Sequence, residues 1–469
     1  MNLRLKRALP IVVGATIVLA LVPPPASSAQ PHNHNVEWLN GYPDPGTPTR
    51  YNKVGVLKVG PTSARNVLVL EPGTSAGSTY FVPLANWIVS TVSGWQVWSV
   101  ERRENLLEDQ SVLDRYKDGK ATTTELYNYY LGYLKDPSVS PHFQMIPTSS
   151  VEFAKDWGMN VAVQDLHDVI AAARRLGGKV VLGGHSLGAS VVTAYATWDF
   201  NGRAGADDLA GLVYIDGGST PTPVSAAQAT TELAALDAPN ATPWLTFGGI
   251  SAPYAGVFSS GGSASALLDP NAPSLGQTSG LLPAAIVPPV PVTNVGQYGY
   301  ALNVGTSPPN LAAAQAHLGT GLTTTGSPRG WDGTGALTPM TRFATMLSGE
   351  GVNNADGSEW YFPQRLTYDT GAVANGNGNP AQSVLDVDAT MGHNLPTSLL
   401  IYAFGAQLGG AGVPQDAQLL ASQSGIPASN LTLANFASTY AHNDPAGAYP
   451  HNAFFSDLVP FLHKVEAYK

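Results

Sequence analysis

The sequence predicts an α/β protein: a mostly parallel sheet with helices on both faces. Three observations carry the prediction. Short apolar runs alternate along the chain with amphipathic segments at helical spacing. The apolar runs lack polar alternation, as strands buried on both sides do. One of them runs through Gly184-His185-Ser186-Leu187-Gly188 straight into a helical segment.

Taken in order, residues 66–70 (NVLVL) read as a buried strand that stops at Glu71-Pro72-Gly73. Residues 81–92 read as a helix and 95–100 (WQVWSV) as a strand. Over residues 160–176, Val163, Leu166, Ile170 and Ala173 fall on one face of a helix that Gly177-Gly178 ends. KVVLGG (179–184) is a strand, LGASVVTAYATWDF (187–200) a helix and LAGLVYI (209–215) a strand ending at Asp216. Later come a strand at 398–404, a helix at 414–422, a strand at 431–437 and an amphipathic helix at 452–468. Two stretches interrupt the alternation. Residues 101–158 carry a dense run of charge (ERRENLLEDQ, DRYKDGK). Residues 217–395 hold three Arg, no Lys and ten acids in 179 positions, with many Gly, Pro, Ala, Ser and Thr and scattered aromatics. We expect this stretch to fold over the sheet as one large insertion.

Composition narrows the function. The 469 residues are 43% hydrophobic, enough for a sizeable core, and only 12% charged. A net charge of −10 speaks against nucleic-acid binding, which needs clustered Lys and Arg. There is no cysteine, so disulfides, thiolate metal sites and a thiol nucleophile are excluded. No metal-binding spacing of histidines such as H-E-x-x-H occurs, and we expect neither metal nor cofactor. At the N-terminus Arg4, Lys6 and Arg7 precede 15 apolar residues (8–22), then PPPASSAQ. This is the pattern of an export signal cleaved after Ala29, too short to span a bilayer. The expectation is a secreted protein without stable membrane insertion; oligomeric state is not legible.

The chemistry centres on Ser186. A serine in G-x-S-x-G between strand and helix sits in a sharp turn, and small residues two positions before and after it let neighbouring backbone pass close. The turn lifts the hydroxyl clear of the sheet and aims a helix N-terminus at a developing oxyanion. The arrangement resembles the α/β-hydrolase fold family, and its serine esterases and lipases in particular. The resemblance covers about residues 52–216 and 396–469, and it places residues 217–395 where the family carries a cap. The domain organisation it implies is a signal peptide at 1–29, a core of 30–216 with 396–469, and a cap/lid insertion at 217–395.

The family order of Ser, acid, His puts the base after the last strand. His442 in TYAHNDPAGA fits, ahead of His451; His463 lies inside the terminal helix. His185 reads as a structural neighbour of the nucleophile, and His32, His34, His142, His167, His317 and His393 stand outside family positions. The usual place for the acid, after the strand at 398–404, reads Gly405-Ala406-Gln407-Leu408-Gly409 and has no carboxylate. Asp216, at the end of the preceding strand, is the first choice and Asp416 the second. The oxyanion donors implied are the N–H of Leu187 and of Thr74, with Ser75 as the alternative to Thr74. The expected function is a secreted serine hydrolase that cleaves carboxylic esters, small or lipid-like, through an acyl-enzyme. A peptidase or amidase, an acyltransferase, and a catalytically inactive binding homologue are the alternatives.

Overall fold

The computed structural model describes residues 34–218 and 222–468; the export segment expected at residues 1–29 lies outside them. Eight strands build the main sheet: β1 (His34–Asn40), β2 (Lys53–Val59), β3 (Asn66–Glu71), β4 (Trp95–Glu101), β5 (Val180–His185), β6 (Gly211–Ile215), β7 (Leu400–Gly405) and β8 (Leu431–Asn435). Their spatial order is β8-β7-β6-β5-β3-β4-β2-β1, with the two-residue strand Val352–Asn353 added beside β1. Strand β2 runs antiparallel to β1 and β4, and every pairing from β4 through β8 is parallel.

The strands are apolar because both faces are covered. In β3, Val67 and Val69 point to one face while Leu68 and Leu70 point to the other. The first face is covered by α2 (Met159–Arg174), α3 (Leu187–Thr197) and α4 (Gly412–Gln423), which bury Val163, Ile170, Val191, Val192, Val413 and Leu420. The second is covered by α1 (Val82–Thr91) and α5 (Ala453–Ala467), through Leu84, Ile88, Phe454, Leu458 and Phe461. Each such side chain contributes roughly 1.5–3 kcal/mol on full burial. Helix and strand bounds match the sequence expectations to within a few residues. Strand β2 escapes the sequence pattern because Gly55 interrupts it; a Cβ there would press on Val36 and Glu101 of the flanking strands, at 2.6 and 2.7 Å.

The two interrupting stretches fold together. Residues 107–161 and part of the segment between β6 and β7 share one apolar cluster, in which Leu126, Tyr130 and Trp157 meet Trp244, Val257 and Trp360. Other parts of that segment join the sheet layers: Phe362, Leu366 and Val373 on the α2/α3 side, and Phe343 and Met346 on the α1/α5 side. Its helices include Ala226–Leu236, Tyr254–Leu268, Asn294–Leu302 and Met340–Ser348. The charge run after β4 turns inward. Arg102 and Arg103 are buried, paired with Glu71 at 2.9 Å and Asp165 at 2.5 Å.

Candidate active site

Strand β5 ends at His185 and α3 begins at Leu187, so Ser186 alone makes the turn. Its φ of 55° and ψ of −128° lie where a side chain is rarely held unless its surroundings enforce it. The enforcement is steric. A Cβ on Gly184 would overlap the Gly188 carbonyl, one on Gly188 the Glu71 and Pro72 carbonyls, and one on Gly217 the Ser186 carbonyl. The Ser186 N–H is fixed to the Ile215 carbonyl at 3.0 Å.

The loop after β3 lies against this turn; a Cβ on Gly73 would come within 2.8 Å of the Ser186 Cβ. Arg102 clamps that loop. Its Nε donates to Glu71 at 2.9 Å, its Nη1 to the Gly73 and Ala76 carbonyls at 3.3 Å each, and its Nη2 to the Pro72 carbonyl. Glu359 N–H donates to the Ser75 carbonyl at 3.0 Å, so the segment between β6 and β7 grips the same loop. Thr74 and Ser75 stand in this clamped loop and Leu187 opens α3, so both expected donor positions flank Ser186. The role of Arg102 is not legible in the sequence, because a charge run after a strand gives no sign of turning inward.

Asp216 follows β6 with a φ of 46°. Its Oδ2 accepts from His442 Nδ1 at 2.6 Å and from Leu408 N–H at 3.1 Å; its Oδ1 accepts from the N–H groups of Ala406 at 2.7 Å and Gly409 at 2.9 Å. The loop after β7 thus supplies donors to a carboxylate from the neighbouring strand. Gly409 permits it, since a Cβ there would stand 3.1 Å from Asp216 Oδ1. Burial works to raise the Asp216 carboxyl. The hydrogen bond and charge of His442, with the Ala406 and Gly409 N–H groups, outweigh it and hold the carboxyl below its ordinary range.

With Nδ1–H committed to Asp216, His442 presents Nε2 as a lone pair. That atom is buried and makes no hydrogen bond among the described residues. His185 Nε2 donates to the His442 carbonyl at 2.9 Å. Burial, then the charge of His442, pushes His185 down to about 3, so it stays neutral. Asp416 stands half-buried on α4, and burial raises it to about 6; Asp216, not Asp416, is the partner of His442. His451 is exposed, and His463 lies on the surface of α5 at 3.2 Å from Glu466.

Ser186, His442 and Thr74 line one cavity of about 250 Å³. Leu126, Phe247, Val257, Phe258, Leu302 and Phe343 form much of its wall, and among the described residues no Asp, Glu, Lys or Arg lines it.

The sheet order, with β2 alone reversed and a serine turn after β5, decides the architecture. The fold is that of the α/β hydrolases. No family model matches the chain, and no curated protein matches it. Among solved structures the chain is similar to a candidate lipase from Sulfolobus solfataricus, at 13% identity and a TM-score of 0.44 over 89% of this chain and 90% of that one. It is similar also to a thermostable carboxyl esterase from Bacillus coagulans (11%, TM-score 0.39, 92% and 99% covered). A third likeness is to a monoglyceride lipase from Saccharomyces cerevisiae (11%, TM-score 0.35, 88% and 91%). The sheet order carries the fold, and these likenesses add nothing to it.

Proposed function

We propose that the protein is an exported serine hydrolase that cleaves uncharged carboxylic esters with a large apolar part. The observation that carries this reading is the Asp216–His442 pair, whose free Nε2 belongs to a side chain lining the same cavity as Ser186. In the reaction Ser186 Oγ bonds to the ester carbonyl carbon and passes its proton to His442 Nε2. The carbonyl oxygen becomes an oxyanion that accepts from the N–H groups of Leu187 and Thr74, each donor contributing about 3–4 kcal/mol. The carbon–oxygen bond to the alcohol breaks, and the alcohol leaves with the proton from His442. Water then gives a proton to Nε2 and bonds to the acyl carbon, the carbon–Oγ bond breaks, and Nε2 returns the proton to Oγ, freeing the acid and restoring Ser186 and His442. Asp216 holds the imidazole in the needed tautomer and stabilises its cation. In this reading residues 217–395 are a cap that supplies much of the apolar wall, which favours uncharged substrates. Export is proposed from the signal pattern at residues 1–29; among the described residues no helix is long and apolar enough to cross a membrane.

A fluorophosphonate label and a panel of p-nitrophenyl esters of increasing acyl length test this. The expected result is labelling of the wild type that disappears in Ser186→Ala, with hydrolysis rising toward longer acyl chains. An unlabelled wild-type protein, inert toward every ester offered, ends the proposal.

A further inference from the structure

His442 is held from two sides. Asp216 fixes its ring, but its backbone is fixed by the residues beside it, and these are tied to the segment between β6 and β7. Asp444, fully buried, accepts at Oδ2 from the Ala441 N–H at 2.7 Å and from His317 Nδ1 at 2.5 Å. Its Oδ1 accepts from the His317 N–H at 3.0 Å and from Thr338 Oγ1 at 2.7 Å. Three of these four donors come from residues 317 and 338, which lie between the two strands. Asn443 repeats the pattern. Its N–H donates to the Gln315 carbonyl at 3.1 Å, and its Nδ2 to the Gln315 and Ala313 carbonyls at 2.9 and 3.1 Å. The residue before His442 and the two after it are thus bound, directly or through Asp444, to residues 313–317. Ala313 and Ala314 of that segment line the cavity beside Ser186 and His442.

Resting on the ester-hydrolase reading, we infer that the segment at residues 313–317, through the His317–Asp444 pair, positions the catalytic base. His317 is a positioning residue: among the described residues no hydrogen bond joins it to Ser186 or His442, and it acts through Asp444 and Ala441. A proton-transfer base must stay within hydrogen-bond reach of the serine hydroxyl, and a misplacement of about 1 Å can cost on the order of 10²-fold in rate. The insertion is then part of the catalytic apparatus and not a detachable cover. A substrate pressing on Ala313 and Ala314 pushes on the same segment that holds the base.

His317→Ala and His317→Asn are compared with the wild type. Asn keeps an N–H donor at nearly the place of Nδ1; Ala does not. His317 is partly exposed, its side chain at 34%, so both variants are expected to fold. With a short p-nitrophenyl ester, His317→Ala is expected to lose about 10- to 100-fold in kcat with KM within twofold, while His317→Asn stays within about threefold of wild type. A second measurement needs no substrate. The proton shared by His442 and Asp216 is followed as a downfield NMR resonance, identified by its loss in Asp216→Asn. It is expected to broaden or shift in His317→Ala and to match wild type in His317→Asn. The inference is overturned if that resonance is the same in all three proteins. It is equally overturned if kcat in His317→Ala equals wild type, if the loss lies in KM alone, or if both variants lose activity equally. A protein inert toward esters sinks the hydrolase reading, whereas the resonance still decides the placement of His442.

Discussion

Replacing Asp216 with Asn tests the site where its geometry is most specific. The two carboxylate oxygens take four donors, two each: His442 Nδ1 and Leu408 N–H on Oδ2, and Ala406 and Gly409 N–H on Oδ1. Asparagine keeps one oxygen. With its NH2 at the Oδ1 place, two backbone N–H groups face a donor. With its NH2 at the Oδ2 place, it donates to His442 Nδ1, the ring proton moves to Nε2, and the base is lost. In both orientations the imidazolium formed during attack has no anion beside it. A hydrogen bond to a charged group is worth roughly 1.5–3 kcal/mol, and stranding a buried polar partner costs about 1–3 kcal/mol more. The sum, about 2.5–6 kcal/mol, corresponds to a loss of about 10²- to 10⁴-fold in kcat at 1.36 kcal/mol per decade. The upper end matches the size of such a substitution in a Ser-His-Asp protease. Initial rates on p-nitrophenyl butyrate are the assay, with circular dichroism melting as a check that the variant is folded. Asp416→Asn is expected to stay within twofold of wild type. A folded Asp216→Asn keeping more than a tenth of wild-type kcat, or an Asp416→Asn with an equal loss, refutes the reasoning.

Two further outcomes are expected. Burial, opposed mainly by Arg102, raises Glu104 from 4.5 to about 7. Its folded value lies above its unfolded one, so its stabilisation is complete below pH 4.5 and is lost as pH rises to about 7, on the order of 3 kcal/mol. Glu104→Gln should therefore be more stable than wild type at pH 8 and no more stable at pH 4, as read from denaturant midpoints; equal pH slopes in the two proteins contradict this. Gly262, on the helix Tyr254–Leu268, lines the cavity, and a Cβ there would meet nothing nearer than a Tyr298 ring carbon at 3.7 Å. A Gly262→Phe ring would fill cavity space, so hydrolysis of long-chain esters should fall at least tenfold while short-chain hydrolysis stays within threefold, and an unchanged chain-length profile argues against the cavity as the substrate's seat.

The parts of the molecule legible in sequence are those whose cause is local. The turn at Ser186 is written in five consecutive residues, because each glycine answers a contact within the turn or with the next strand. His442 stands in the connection between the last strand and the terminal helix, which limits where a base can come from. Asp216 was one of two choices, because the choice depends on a loop 190 residues later in the chain, whose N–H groups close around it. The Arg102 clamp was not legible: whether ERREN faces solvent or core is set by Glu71 on another strand. Nor were the helices between β6 and β7. Tyr254–Leu268 is built largely from Gly, Ser and Ala, so it carries almost no hydrophobic periodicity and is specified by what packs around it. His317 shows the same limit, since nothing near it in the chain announces Asp444.

The uncharged wall around Ser186 also bears on how a turnover ends. In the proposed reaction the acid freed from an ester is ionised at neutral pH, and among the described residues neither Lys nor Arg lines the cavity. Once His442 is neutral again, a carboxylate left in such surroundings loses its hydration and gains no ion pair with Lys or Arg. Departure into water is downhill for that anion, so accumulating free acid should be a weak inhibitor even where the parent ester binds well.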